Sequence, residues 1–237
     1  RDDGMLPSAD VIVNPHVFNN GGFEDFCGAG LAYRLACLLH QNKEALLMEL
    51  NTLAAIATVA DVVPLIDDNR SIVMDGLKAI KYQKAPIGLR VLLERLNLFD
   101  VDESDVSFTV GPILNAPGRM LDSGADKSLH LLIDEDYLDS KAKELEVINS
   151  RRKELQVEGL ETAEKIIGED CMYGDSVLVL CSGNRNGINP IPEGLAGILA
   201  GKLSEKYKVP AIILTESDKP GIVKGSGRSY GNVNLKA

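Results

Sequence analysis

After Gly28 the apolar residues Leu31, Leu35, Leu38 and Leu39 recur at three- and four-residue spacing, and a second apolar series fills positions 45–60. That period marks one face of an α-helix, so two packed helices are predicted. Ahead of them, residues 9–14 (A-D-V-I-V-N) form a short β-rich run that stops at Pro15. Asn19, Asn20, Gly21 and Gly22 then supply turn chemistry, which predicts a strand followed by a loop. Pro64 and the Asp67, Asp68, Asn69 cluster are expected to break the helical pattern before further helical runs over 70–80 and, past Pro86, over 88–96. The front of the chain is therefore read as mostly helical, with its helices packing on a sheet upstream of Arg1.

Between residues 136 and 168 there is neither proline nor a turn cluster, while Leu138, Ala142, Leu145, Ile148, Leu155, Ala163 and Ile166 mark one face among many charges. One long helix is predicted there, with Gly159 as its weak point. It would connect two domains or form part of an antiparallel bundle. Beyond it, 176–181 reads as a buried strand, 194–207 as a helix, and 210–214 and 221–225 as two further strands. This βαββ order describes a small α/β domain, expected to be cut short at Ala237.

Composition narrows the class. The 237 residues are 45% hydrophobic and 25% charged, the balance of a folded globular protein. The longest apolar runs, 53–57 and 177–181, are five residues, against about 18 for a membrane-spanning helix. No membrane role is expected. The chain begins at Arg1 with no initiator Met and nothing resembling a secretory signal, which reads as a piece of a longer cytoplasmic protein. Cys27, Cys37, Cys171 and Cys181 lie far apart with no C-x-x-C pair, so buried thiols are expected rather than zinc or disulfides. The net charge of -10 argues against a protein that simply coats nucleic acid. It is unevenly spread: residues 1–135 carry -9, 136–169 carry -3 and 170–237 carry +2. Such a distribution suits a metal-bearing front facing a rear that holds an anion, or simply a solvated acidic surface.

Three segments carry candidate chemistry. In residues 58–65 (T-V-A-D-V-V-P-L) Asp61 is the one carboxylate of an apolar run at a predicted helix end, so it either caps a neighbouring helix or meets a cation. In residues 111–120 (G-P-I-L-N-A-P-G-R-M) glycine and proline suggest a fixed loop around Asn115, and Arg119 offers a planar donor fork for phosphate or carboxylate, or is simply a surface arginine. Residues 225–229 (G-S-G-R-S) end a predicted strand with two glycines, two hydroxyls and a guanidinium, a composition suited to a phosphate cradle.

Taken in this order, with Asn69-Arg70 after the first motif and a long helix before the third, the segments resemble those of the RecJ single-strand-specific exonucleases of the DHH phosphoesterase superfamily. The resemblance covers nearly the whole chain. Residues 9–15 and Cys27-Gly28-Ala29-Gly30 look like stretches that follow the Asp-His-His motif in that family, and Ile191-Pro192-Glu193-Gly194 stands where many members have Trp-His-x-Gly. The family's Asp-x-Asp and Asp-His-His motifs are expected before Arg1. The resemblance implies an α/β architecture: 1–135 as the helical C-terminal part of a DHH catalytic domain, 136–169 as a connecting helix, and 170–237 as a DHH-associated substrate-binding domain. It also implies metal-dependent 5′-to-3′ hydrolysis of single-stranded DNA in repair and recombination. Asp61 would be one ligand of a pair of Mn²⁺ or Mg²⁺ ions, which can clamp the attacking and leaving oxygens. Asn115 and Arg119 would line the DNA path. Ser226 and Arg228 would hold a terminal 5′ phosphate in a loop formed with Gly225, Gly227 and Ser229. No side chain of this chain is assigned as catalytic, and the chain alone is expected to be inactive. Two alternatives are a DHH phosphodiesterase for short oligonucleotides or cyclic dinucleotides, whose relatives typically carry a G-G-H loop, and a non-catalytic replication scaffold, against which the retention of Asp61 argues.

Overall fold

The computed structural model describes residues 6–17, 22–183, 190–216 and 222–235. The chain divides into two compact units, Arg1–Gly111 and Pro112–Ala237. In the first unit the helical period is realised as α1 (Gly28–Leu39), α2 (Glu44–Ala60), α3 (Asp67–Lys81) and α4 (Ile87–Arg95). The one-turn α5 (Glu103–Asp105) leads into a π-helical turn, Val106–Val110. The α2 and α3 backbones approach so closely that a Cβ on Gly76 would lie 2.4 Å from Ala55 Cβ and 2.8 Å from the Asn51 carbonyl oxygen. Only glycine fits that crossing, which buries Ala54, Ala55 and Ile72.

Two expectations for this unit are corrected. Residues 9–14 form no strand, and Val11 and Val13 are 78% and 53% exposed. A strand needs a partner, and no strand occurs among the described residues of this unit. The Asp67, Asp68, Asn69 cluster opens α3 instead of breaking the pattern. Two carboxylates in a first turn face the positive end of the helix dipole, where they stabilise it. The turn expected at Asn19, Asn20 and Gly21 lies outside the described residues.

The boundary falls at the first residue of α6 (Gly111–Met120), and the rest of that helix lies in the second unit with α7 (Ala125–Ile133), α8 (Leu138–Glu169), β1 (Leu178–Cys181), α9 (Glu193–Tyr207), β2 (Ala211–Glu216) and β3 (Val223–Arg228). The βαββ order is as read from the sequence, although Gly221 lies outside the described residues. β1 pairs in parallel with β2 from Leu178↔Ala211 to Cys181↔Leu214, and β3 runs antiparallel to β2. The sheet order β1-β2-β3 makes β3 an edge strand. Ala163, Ile166 and Ile167 of α8, Leu195, Leu199 and Leu203 of α9, and Leu178 and Ile213 of the sheet form one buried core.

The long helix runs unbroken, and its glycine has a packing role. A Cβ on Gly159 would come within 2.7 Å of Leu199 Cδ1, so the glycine lets α9 approach where a weak point was expected. Of the cysteines only Cys27 is buried, and Cys171 is exposed. The whole is a mixed α/β structure. Among the described residues no helix is long and apolar enough to cross a membrane.

Candidate nucleic-acid interface

Asp61 follows the last turn of α2 as its C-cap residue, with its side chain exposed to solvent. The capping alternative finds no support, because the next helix, α3, has no side-chain bond at its N-cap. Its backbone setting is built by neighbours from the same motifs. Asn69 is fully buried and its Nδ2 donates to the Pro64 carbonyl at 2.9 Å and to the Asp25 carbonyl at 2.7 Å, tying the segment after Asp61 to the one before α1. Cys27 Sγ accepts from the Gly30 N–H at 3.2 Å, capping α1, and lies 3.5 Å from Thr58 Oγ1. Gly111 closes this arrangement. Its N–H bonds the Val106 carbonyl across the π turn, and a Cβ there would meet Ala60 Cβ at 3.2 Å.

The second motif is a helix, contrary to the expected loop. Residues 111–120 form α6 with Pro117 inside it. Pro112 lacks an N–H and follows the π turn directly, a place where the regular bonding ladder is already rearranged. Asn115 and Arg119, four residues apart, project from one side of α6, and both are exposed.

The third motif is also reassigned. Gly225, Ser226, Gly227 and Arg228 belong to β3, with Ser226 opposite Ile213 and Arg228 opposite Ala211. A Cβ on Gly225 would lie 2.4 Å from the Ile213 carbonyl, so this glycine serves close strand approach. Lys224, Ser226 and Arg228 alternate along the strand and face α9. Lys224 Nζ lies 3.1 Å from Glu193 Oε2, while Ser226 Oγ and Arg228 Nη2 come within about 3 Å of where a Cβ on Gly197 would stand. Arg228 Nη1 donates to Ser226 Oγ at 3.2 Å and to the Gly227 carbonyl at 2.9 Å. Ser229 follows the strand, and its carbonyl accepts from Ser204 Oγ at 3.2 Å.

Within this unit the second and third motifs meet at the start of α9. Its N-cap is Pro192 with no side-chain capping bond, and a Cβ on Gly194 would fall 1.9 Å from the Arg119 carbonyl oxygen. Arg119, Glu193, Gly194 and Lys224 line a cleft of about 470 Å³ there. Ile191, at the Trp-His position, is buried in the core, and its N–H bonds Ser182 Oγ at 3.1 Å.

Sequence reading missed Arg152. Only 8% exposed on α8, it bonds neutral groups: Nε to Asn149 Oδ1 at 3.0 Å and Nη1 to Gln156 Oε1 at 3.1 Å. Burial and then the nearby Arg119 charge push its guanidinium below the ordinary value. No described carboxylate pairs with it. The signal in the sequence was an arginine three residues after an asparagine on the apolar side of the long helix.

A small α/β unit with two neighbouring arginines beside an uncapped helix N-terminus is of the class that receives anions. The comparisons narrow that class. The chain is 33% identical to the single-stranded-DNA-specific exonuclease RecJ of Bacillus subtilis over 97% of its own length and 28% of that protein's. With the RecJ of Escherichia coli K12 it shares 31% identity over 98% of its own length and 42% of that protein's. Among solved structures, RecJ from Thermus thermophilus in complex with Mg²⁺ superposes with a TM-score of 0.76 at 28% identity, covering 94% of this chain and 33% of that one. An exonuclease RecJ bound to manganese gives 0.71 at 27% identity, covering 96% and 62%. No family model matches. Over nearly all its length the chain is RecJ-like in sequence and fold, and it spans less than half the length of the curated relatives it matches.

Proposed function

We propose that this chain is part of a metal-dependent exonuclease that digests single-stranded DNA from the 5′ end, in DNA repair and recombination, and that it works in the cytoplasm. The observation that carries this reading is the cluster at α9. Arg119 and Arg152 lie near each other, neither paired with a described carboxylate, and Arg119 shares the cleft at the start of α9 with Asp122 and the Lys224–Glu193 ion pair. Like charges held together in this way favour an anion such as a backbone phosphate. Asn115, one turn before Arg119, would add a neutral hydrogen-bonding group to the DNA path.

Ser226 and Arg228 would hold the terminal 5′ phosphate. The strand geometry would suit this in a different way from a loop: β3 bonds β2 along one side and has no other strand partner among the described residues, and the N–H groups of an edge strand's outer side can serve a ligand. Gly225, Gly227 and Ser229 would let the phosphate approach that edge. In this reading residues 1–135 are the C-terminal part of a DHH catalytic domain, 136–169 a connecting helix, and 170–237 a DHH-associated domain. The compact division after Gly111 groups most of α6, together with α7 and α8, with the sheet, ahead of the 135/136 boundary of this reading.

Asp61 would supply one ligand to Mn²⁺ or Mg²⁺. The described residues contain no group of three or more His, Cys, Asp or Glu side chains able to hold a metal, so they do not by themselves present a complete two-ion site.

The test is equilibrium binding of 5′-phosphorylated and 5′-hydroxyl single-stranded DNA to the full-length protein, with metal omitted. Arg228→Ala should weaken the phosphorylated strand about ten- to a hundredfold, the loss of one charge-assisted bond, and the hydroxyl strand much less. Arg119→Ala should weaken both alike. An unchanged ratio in Arg228→Ala would assign end recognition elsewhere.

A further inference from the structure

Along α9 and its C-cap, Gly197, Gly201, Ser204 and Lys208 recur at three- and four-residue spacing, which puts them on one face of the helix. β3 and the turn after it follow that face in the same order. A Cβ on Gly197 would lie 3.0 Å from Ser226 Oγ and 3.1 Å from Arg228 Nη2, and one on Gly201 would lie 3.9 Å from Arg228 Cγ. Further on, Ser204 Oγ donates to the Ser229 carbonyl at 3.2 Å. The Lys208 ammonium then stands over the Tyr230 ring, 5.6 Å from its centroid.

Tyr230 is 38% exposed, although an aromatic ring is among the side chains that gain most from burial. Its backbone is held on both sides. The Ser204 bond fixes the peptide before it, and its own carbonyl accepts from the Val233 N–H at 3.4 Å, with Gly231 at φ 61° turning the chain away. The ring's negative face attracts the ammonium, which sets the ring in place. Tyr230 comes two residues after Arg228, at most about 7 Å of chain. That is comparable with the reach from a nucleotide's phosphate to its base. Arg228 bonds only neutral groups, Ser226 Oγ and the Gly227 carbonyl, among the described residues. Glu205, the nearest acidic residue to Lys208 on α9, is exposed and makes no ion pair with it.

We propose that Tyr230 is the stacking platform for the 5′-terminal base of a bound single strand, with Lys208 bracing the ring and adding a cation beside the strand. The proposal rests on the reading in which Ser226 and Arg228 hold the terminal phosphate. Every base has a π face, so the platform accepts all four and registers only that a base is present. A ring braced before the strand arrives loses little freedom on binding, which favours the bound state.

The experiment is equilibrium binding to the full-length protein, with metal omitted, of two 5′-phosphorylated oligodeoxynucleotides that differ only in an abasic residue at the 5′ end of one. Wild type should bind the strand with the terminal base about tenfold more tightly. Tyr230→Leu, which keeps an apolar side chain without a π face, should bind the two strands equally, and Tyr230→Phe should keep the preference. Tyr230→Leu should still favour a 5′-phosphate over a 5′-hydroxyl, because Arg228 is untouched. Equal binding of the two strands by wild type, a preference that survives in Tyr230→Leu, or its loss in Tyr230→Phe would each overturn the proposal. So would loss of the phosphate preference in Tyr230→Leu, since the substitution would then have displaced the end of β3. Failure of the phosphate reading shows separately, as an unchanged phosphate-to-hydroxyl ratio in Arg228→Ala.

Discussion

Asp61 follows the last turn of α2, where the carbonyl ends of the helix already concentrate negative charge. No described residue donates to its carboxylate, so folding draws nothing from it. Asp61→Asn should leave the melting temperature unchanged or raise stability by about 0.3–1 kcal/mol, the worth of one charge at a helix end. In the full-length protein the same substitution should abolish turnover. A lowered melting temperature with turnover intact would make Asp61 structural instead. Asn69 is its opposite. Buried and bonded to two carbonyls, it should cost about 1–3 kcal/mol as Asn69→Ala in denaturant unfolding, and a smaller loss would mean that water replaces it. The sequence placed Asp61 in its motif but not Asn69 in its role, because a polar residue among acidic neighbours reads as surface until the two carbonyls it ties become visible. Arg152 was hidden for the same reason: burial of a guanidinium cannot be read from charge.

At the level of elements, helices with a plain 3.6-residue period were legible, and those built around glycine and proline were not. α6 reads as a loop by local chemistry, yet a Cβ on Gly111 would crowd the Val106 carbonyl at 2.9 Å and Ala60 Cβ at 3.2 Å, and Pro112 sits just past the π turn. The G-S-G-R segment reads as a turn, yet Gly225 is required for contact with the Ile213 carbonyl in the ladder. In both cases glycine served close approach between backbones, which depends on a partner that local sequence does not name. Gly194 makes the same point testable. A Cβ there would overlap the Arg119 carbonyl oxygen, so Gly194→Ala should destabilise the second unit by about 1–3 kcal/mol and weaken single-stranded DNA through displacement of α6. Gly197→Ala meets only side-chain tips, Ser226 Oγ and Arg228 Nη2, and should be milder. Equal effects of the two on a thermal melt would show that α6 and α9 yield easily.

The pairing of α8 with α9 has a pH signature. Burial alone would raise the Glu164 carboxyl, but Lys206 Nζ at 2.6 Å and the Tyr207 hydroxyl both donate to it and hold it below the ordinary carboxylate value. A depressed folded value means stability that is fully present above the unfolded pKa of about 4.3 and lost as pH falls through the lower folded one. Wild type and Glu164→Gln should therefore differ most in stability near neutrality and converge in acid. A constant difference across that range would exclude the linkage.

For the whole molecule, the βαββ order and the long helix were readable because each element declares its own period. The division after Gly111 was not, since the boundary falls inside a continuous run of helical turns where composition does not change. The acidic excess of residues 1–135 lies mainly in the first unit, and the arginines beside α9 all belong to the second.

The parallel pairing of β1 with β2 has a kinetic consequence. Leu178 and Ala211 are partners roughly thirty residues apart, so the sheet cannot close until the intervening chain and α9 have been gathered, whereas α2 and α3 meet across a short connection. On synthesis from the N-terminal side, α2 and α3 would be able to pack while the second unit is still an open chain. Pulse-labelled hydrogen exchange during refolding should show protection at Ala55 and Ile72 before Leu180 and Ile213, and simultaneous protection would mean that the two units fold as one.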